Sequence, residues 1–398
     1  MTVKLMDICS KIGSGATPRG GKEAYREDGI SLVRSQNVLD FEFTDSGLAH
    51  INDEQARKLN NVEVMDGDIL INITGDSVAR ACMMDAAFLP ARVNQHVAII
   101  RGEKDKVISS YILYFLQMMK RHLLQLASSG ATRNALTKGM LEQLELELPD
   151  IETQKRITSL LDSIQEKIAL NRKINDNLEQ QIETALLSIL NSTQTNYVRL
   201  GDYLYIKGRI GWKGLKKDEY LDQSNFRIIN GESLTKAGVD WAKAGYISES
   251  RYIESPEIML KEGDILLSKD GTIGKIGYID SLTTPTTVAS GIFVIRNIKP
   301  DIISTTFIYY LLKSRLFEGF IAARTEGSVI PHLYQKDFMQ FEFPLPTSAE
   351  MTAFDNLTKP MFSLIISNLQ ENQRLSQLRD ELLPRLMSGK IDVSDIQF

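Results

Sequence analysis

The chain is poor in cysteine, histidine and long apolar runs, and it carries no excess of positive charge. Cys9 and Cys82 are the sole cysteines among 398 residues. They have no metal-ligand or redox spacing, which fits a reducing cytoplasm. His50, His96, His122 and His332 are scattered without metal spacing and read as ordinary surface or core residues. The longest apolar run, Tyr111 to Leu116, is far too short to span a membrane, and no signal peptide opens the chain. Lysine and arginine number 46 against 51 acids, a net charge of −5. Any nucleic-acid binding must therefore use local basic patches rather than a global field. The length exceeds one ordinary core, so two or three domains are expected.

Glycine and proline are also absent from one long stretch, Ile151 to Asn191. Its apolar residues Ile157, Leu161, Ile164, Ile168, Leu178, Ile182, Ala185 and Ile189 fall on alternating four- and three-residue steps, the seam of a coiled coil. Asn171 and Asn175 occupy the two middle seam positions. The spacing predicts one helix of about forty residues, roughly 50–60 Å long. A helix that long with one narrow apolar stripe needs a partner helix.

An internal repeat supplies it. Val3-Lys4-Leu5 with Asp7 returns as Val198-Arg199-Leu200 with Asp202, and Gly67-Asp68-Ile69-Leu70 as Gly263-Asp264-Ile265-Leu266. Ile100-Arg101 returns as Ile295-Arg296; Tyr111, Ile112 and Tyr114 match Phe307, Ile308 and Tyr310. Gly130, Leu136 and Leu148-Pro149 match Gly327, Leu333 and Leu345-Pro346. Asn171, Asn175, Leu178 and Leu186 match Asn368, Asn372, Leu375 and Leu383, and the offset moves only from 195 to 197 throughout. Common order and offset identify a tandem duplication of one unit, a globular half followed by a long helix.

Each half reads as mixed structure. Short strands are expected at Asp68 to Thr74 and Asp264 to Ser268, and at Val93 to Arg101 and Val288 to Arg296. Helices are expected over Tyr111 to Leu126 and Thr306 to Ala323. Leu144-Leu146-Leu148 and Phe341-Phe343-Leu345 alternate as closing strands that end at Pro149 and Pro346. The second long helix is expected from about Ser348 to Met387, with seam Phe354, Met361, Ile365, Asn368, Asn372, Leu375 and Leu382. Pro360 and Pro384 should kink it or split off its ends, and Gly389 should stop it. The expected fold is α+β: two similar mixed α/β domains at 1–150 and 196–346, with long helices at 151–195 and 347–398. Connectivity makes those helices antiparallel, a dumbbell with a pseudo-twofold axis whose termini meet near the first half.

This pattern resembles the specificity subunit of type I restriction–modification systems, over the whole chain. The tail Leu378-Arg379-Asp380-Glu381-Leu382-Leu383-Pro384-Arg385-Leu386-Met387-Ser388-Gly389-Lys390-Ile391 looks like the closing motif of that family. Gly13-Ser14-Gly15-Ala16-Thr17-Pro18-Arg19 followed by Gly29-Ile30-Ser31-Leu32-Val33-Arg34 resembles the start of a recognition domain. The resemblance implies a non-catalytic subunit that reads a gapped, two-part site in double-stranded DNA, one part per domain. It implies a scaffold for two methyltransferase subunits and, in the restricting complex, for motor-nuclease subunits. S-adenosylmethionine, ATP and magnesium would belong to those partners, with no cofactor or metal in this chain.

Phosphate contacts would position each half and base-edge contacts specify it. The best basic stretch is Lys207 to Lys217, with Lys207, Arg209, Lys213, Lys216, Lys217 and Trp212 and no acid. A solvated loop whose tryptophan packs on the domain is the plainer alternative. The first half offers Arg19, Lys22, Arg26 and Arg34 with Gln36 and Asn37, partly neutralised by Glu23, Glu27 and Asp28. Arg, Gln and Asn can pair with base edges. Arg133, in the loop Ser128 to Asn134, and Arg324, near the matching loop Glu326 to His332, complete the candidates. Asn171, Asn175, Asn368 and Asn372 would fix the register of the helix pair, with Asn171 beside Asn372 and Asn175 beside Asn368.

Catalytic motifs are missing. Gly15 to Lys22 is not a phosphate loop, which needs glycine at Ala16 and Ser or Thr at Glu23. Gly271, Gly274 and Gly277 read as a hairpin. There is no amino-methyltransferase signature and no glycine-rich nucleotide fingerprint. Asp150, Glu152 and Lys155 crowd a helix start, where Asp150 is a natural cap. A stand-alone DNA-modifying enzyme is thereby disfavoured. A coiled-coil scaffold without a DNA role draws support only from the acidic charge.

Overall fold

The computed structural model describes residues 1–18, 20–128, 134–192, 196–210, 214–235, 238–325 and 332–393. They form two compact units, Met1–Leu170 with Glu371–Phe398, and Asn171–Gln370. Each contains a globular portion and half of each long helix.

In the first unit an antiparallel sheet runs Cys9–Ser14, Val97–Gly102, Ile69–Asn72, Ala81–Met83. A second sheet runs Ala49–Ile51, Ile30–Val33, Ala91–Val93, Glu63–Val64, with its two central strands parallel. The other unit repeats the plan. Leu204–Gly208, Ile292–Asn297, Ile265–Ser268 and Ile276–Tyr278 make the antiparallel sheet. Gly245–Ile247, Phe226–Ile229 and Thr286–Val288 make the second, again with a parallel pair. Ile69–Asn72 and Ile265–Ser268 are buried along their whole length, as central strands covered on both faces must be. The closing strands Glu145–Glu147 and Glu342–Pro344 pair with Thr2–Lys4 and Tyr197–Arg199 at the chain entry of each half.

The repeated Gly-Asp and Ile-Arg dipeptides meet in a buried ion pair. Arg101 donates from Nε and Nη2 to the two carboxylate oxygens of Asp68, both at 2.7 Å, and Asp68 also accepts from the Met65 amide at 2.8 Å. Arg296 grips Asp264 in the same way at 2.6 and 2.8 Å, and Asp264 accepts from the Lys261 amide at 2.7 Å. Both carboxylates are buried, yet every charge has its partner.

The first long helix is continuous from Ile151 to Ser192. Asp150 caps it, accepting from the Thr153 amide at 2.9 Å and hydroxyl at 2.8 Å, bonds that hold its carboxyl below the ordinary value. The second runs from Ser348 to Met387 behind a capping box of Thr347 and Glu350. It ends in a Schellman turn: Gly389, at φ 69°, donates to Leu386 and Lys390 donates to Arg385. Within each unit the helix halves are antiparallel. In the first, Arg379 donates to Gln165 at 2.9 Å and Asn372 to the Ile168 carbonyl at 3.3 Å. In the second, Asn368 donates to Asn175 at 2.8 Å and Asn175 to the Ile365 carbonyl at 3.3 Å.

Three expectations are corrected. Pro360 and Pro384 do not split the second helix, because packing of Phe354, Phe362, Ile365, Leu383 and Leu386 into the cores outweighs the lost backbone bonds. Its seam uses Phe362, Arg379 and Leu383, leaving Met361, Leu375 and Leu382 half-buried. The middle helix of each half is broken in two, at Met119 and at Ser314, where the chain leaves helical geometry.

Candidate nucleic-acid interface

One edge of each unit is built by the hairpin that follows Ile69–Asn72 or Ile265–Ser268. Its closing bonds are the same in both: Asn72 donates to Arg80 and Ala79 to Asn72, each at 2.8 Å. Ser268 donates to Lys275 at 2.9 Å and Gly274 to Ser268 at 3.1 Å. The residue before the cation is left-handed in each, Ala79 at φ 66° and Gly274 at φ 92°. The flanking loops repeat too. Ile73 donates to His96 and Lys269 to Gly291, both at 2.9 Å. Thr74 bridges Ala135 where Asp270 bridges His332. The loop after the parallel strand is held by Asn37 accepting from the Arg34 amide at 3.1 Å, and by Ser233 accepting from the Asn230 amide at 2.7 Å.

On this common backbone the side chains differ. Arg34, Gln36, Thr74, Arg80 and His96 stand where the other unit has Asn230, Glu232, Asp270, Lys275 and Gly291. In the first unit Thr74 Oγ1 and His96 Nδ1 share a hydrogen bond at 2.6 Å. In the second, His332 Nδ1 bonds Asp270, Lys269 reaches the same carboxylate at 3.1 Å, and Lys275 donates to the Gly231 carbonyl at 2.8 Å. Arg34, Gln36, Asp76, Ser77, Arg80 and Asn94 line an open polar cup on the first edge. Such an edge can offer donors and acceptors to base edges while its backbone stays fixed.

The sequence-derived candidates divide. Arg34 is stacked on the Tyr25 ring at 5.2 Å and donates to the Gly47 carbonyl, whereas Gln36 is exposed at the cup. Asn37 is corrected: it is fully buried, donating to the Thr44 carbonyl at 2.9 Å and the Ser46 carbonyl at 3.3 Å, and it shapes the loop instead of touching bases. Arg209 is corrected likewise. It is 3% exposed and spends its guanidinium on Val288, Ser255 and Thr287. Lys216 and Lys217 are exposed, on a loop tied to Arg251 through Gly214 at 3.2 Å and Glu219 at 3.0 Å. Lys207 is exposed with its ammonium 5.9 Å from the Tyr205 ring, and Arg324 lies 3.6 Å over Phe320 of its own helix. Arg19, Arg133, Trp212 and Lys213 fall outside the described residues, as does the Lys22 side chain.

Sequence reasoning missed Arg80, Lys275 and Asp270 as site residues, and set His332 aside. The signal was the repeat register, which carries Gly75 onto Gly271 and Arg80 onto Lys275. Among the described residues no cluster of His, Cys, Asp and Glu has metal-binding geometry, and no helix is long and apolar enough to cross a membrane. Burial pushes the Cys9 thiol up to about 12 and raises that of Cys82 as well, which keeps both from reacting as thiolates.

Residues 1–180 and 194–369 each match the family described as the type I restriction modification DNA specificity domain. The chain belongs to that family. Among its relatives are two specificity subunits of Methanocaldococcus jannaschii type I restriction enzymes. The MjaVIII subunit is 22% identical over 368 residues, 86% of this chain and 83% of that protein. The MjaIX subunit is 23% identical over 418 residues, 99% of this chain and 94% of that protein. The crystal structure of the type I restriction–modification S subunit from M. genitalium has a TM-score of 0.57 at 15% identity, covering 97% of this chain and 95% of that one, a likeness of fold. As a type I specificity subunit the chain has a role in DNA recognition, and its family is in general non-catalytic.

Proposed function

We propose that this specificity subunit reads a gapped, bipartite site in double-stranded DNA, one part with each unit. The long helices set the spacing between the parts and dock two methyltransferase subunits, and motor-nuclease subunits join in the restricting complex. Methyl transfer with S-adenosylmethionine, and ATP- and magnesium-dependent translocation and cleavage, belong to those partners, and the assembly works in the cytoplasm. The observation that carries the reading is the edge built twice on one backbone with different polar side chains. Two such readers bind two different half-sites, as half-site spacing follows protein geometry in dimeric DNA-binding proteins. The helices support the docking role: Leu357, Leu364 and Leu378 stay 45–49% exposed on the second helix while its other side is buried.

Reconstitution tests it. The purified subunit should bind duplex DNA with strong salt dependence and transfer no methyl groups. Adding the methyltransferase subunit should yield methylation at one bipartite sequence. Exchanging residues 1–150 for those of a relative should change one part of that sequence and leave the other intact. Both parts changing together would sink the assignment of one unit to one part.

A further inference from the structure

The two edges are not equivalent in what they leave free. In the second unit the hairpin cation is tethered, with one of the three Lys275 ammonium donors on the Gly231 carbonyl at 2.8 Å. In the first, no acceptor among the described residues holds the Arg80 guanidinium, although the residue is half-buried in the cup. Its backbone is fixed by the hairpin bonds to Asn72 on either side of the left-handed Ala79. The buried Asn72 side chain donates to Ser35 at 2.9 Å and Val38 at 3.3 Å, so the hairpin and the Gln36 loop are one rigid piece.

Gln36 is oriented by its surroundings. Its Nε2 donates to the Gly47 carbonyl at 3.1 Å and the Ser46 carbonyl at 3.4 Å. Gly47, at φ 63°, permits that approach, for a Cβ there would stand 2.6 Å from Nε2. With both amide protons committed inward, Gln36 presents its oxygen as an acceptor. Arg34, which also lines the cup, is held by the Tyr25 ring and by its Nη2 bond to the Gly47 carbonyl.

Besides Arg34 and the acceptors at its rim, Asp76, Ser77 and Asn94, the cup thus offers the two-donor fork of Arg80 and the oriented oxygen of Gln36. In the major groove a G·C pair shows two acceptors, guanine N7 and O6, followed by the amino donor of cytosine. An A·T pair shows acceptor, donor, acceptor, which would set the fork against the adenine amino group. Resting on the DNA-reading function above, we propose that Arg80 and Gln36 read a single G·C pair in the half-site of the first unit. Arg80 takes guanine N7 and O6, and Gln36 Oε1 takes the cytosine amino group. Asn72 and Gly47 are positioning residues, and in the second unit the tethered Lys275 has no planar fork with which to make this contact.

The test selects bound sequences from duplexes randomised across both half-sites, using the full chain. The wild type should select one G·C pair that Arg80→Ala loses and Arg80→Lys weakens for want of the planar fork, with discrimination against A·T falling about ten- to hundredfold in the alanine variant. Arg80→Lys keeps the charge, so its thermal melt should match the wild type, which separates lost base reading from misfolding. Gln36→Ala should weaken preference at the same pair, and the other half-site should not change. Uniform loss of affinity for every duplex with a shallower salt slope would make Arg80 a phosphate contact and overturn the assignment. So would a lost preference at an A·T pair, or a selected site indifferent to Arg80. A wild type that selects no sequence at all would instead overturn the proposed function, a result distinct from these.

Discussion

Asn368 donates to the Asn175 side-chain oxygen at 2.8 Å inside a buried helix seam. Asn175 in turn donates to the Ile365 carbonyl at 3.3 Å, so the two amides satisfy one another and the backbone. Leucine in place of either alone strands the other amide, a cost of about 1–3 kcal/mol. The double replacement removes both polar groups and should recover most of that loss, while a slipped register becomes tolerable. Urea unfolding of the two single variants and the double variant measures the coupling. Additive effects would mean that the pair does not act as a unit.

Much of this was legible in the chain because its signals are local or periodic. The repeat register located both Gly-Asp strands, Asp150 announced the start of the first long helix, and Gly389 the end of the second. What escaped depends on contacts between residues far apart. Arg209 counts as one more cation in a basic run until Val288, Ser255 and Thr287 close around it. Arg379 enters the seam because the Phe41 ring, 3.9 Å away on a loop of the first unit, receives its guanidinium. Counting charge pointed to lysine-rich loops, whereas the paired edges are recognised by matching Arg80 to Lys275 across the repeat.

The buried ion pairs make a paired prediction. Asp68→Asn leaves Arg101 without its counter-charge, and Asp264→Asn does the same to Arg296. Each should destabilise by about 3 kcal/mol, the low end for breaking a buried pair, since each arginine keeps one-fifth of its side chain in solvent. Hydrogen exchange should place the first loss in the first unit and the second in the other. Loss spread evenly over both would contradict the separate cores.

Lys216 and Lys217 have exposed ammonium groups, the state a phosphate contact requires. Changing both to alanine should weaken binding to every duplex alike and flatten the dependence of log K on log salt by about 1.8, the value for two phosphates. An unchanged slope would return this loop to the role of solvated surface.

Asp162, on the first long helix, accepts from Tyr114 at 2.8 Å and Ser110 at 3.2 Å. Burial, aided by nearby Glu166, holds its carboxyl above the ordinary value of 3.8 despite those two bonds. The folded state therefore keeps the proton longer than the unfolded chain, so this group favours folding most at acid pH. Its contribution should decline as pH rises from about 3.8 through the raised value. Asp162→Asn should erase that slope while still accepting from Tyr114. Denaturation midpoints of the two proteins between pH 4 and 7 would converge toward acid and separate toward neutral pH, the variant being the more stable.

The matched hairpins allow a reciprocal exchange. Ala79 and Gly274 hold the same left-handed position, at φ 66° and 92°. A side chain there costs roughly 1–2 kcal/mol, and glycine costs about 0.5–1 kcal/mol in lost chain freedom. Ala79→Gly relieves that strain but strips a core methyl, worth about 0.8 kcal/mol, so the first unit should shift by no more than about 0.5 kcal/mol. Gly274→Ala should destabilise the second by about 0.5–1 kcal/mol and no more, since the added methyl would meet only Ile321 Cδ1 at 3.7 Å. A clear loss at Gly274 beside a near-neutral change at Ala79, read from unfolding free energies, would show that the Ala79 methyl offsets its backbone strain. If Ala79→Gly also blurred preference at the Arg80 base pair, the rigidity of that hairpin would be part of recognition, because a fork aims two bonds at once only from a fixed backbone.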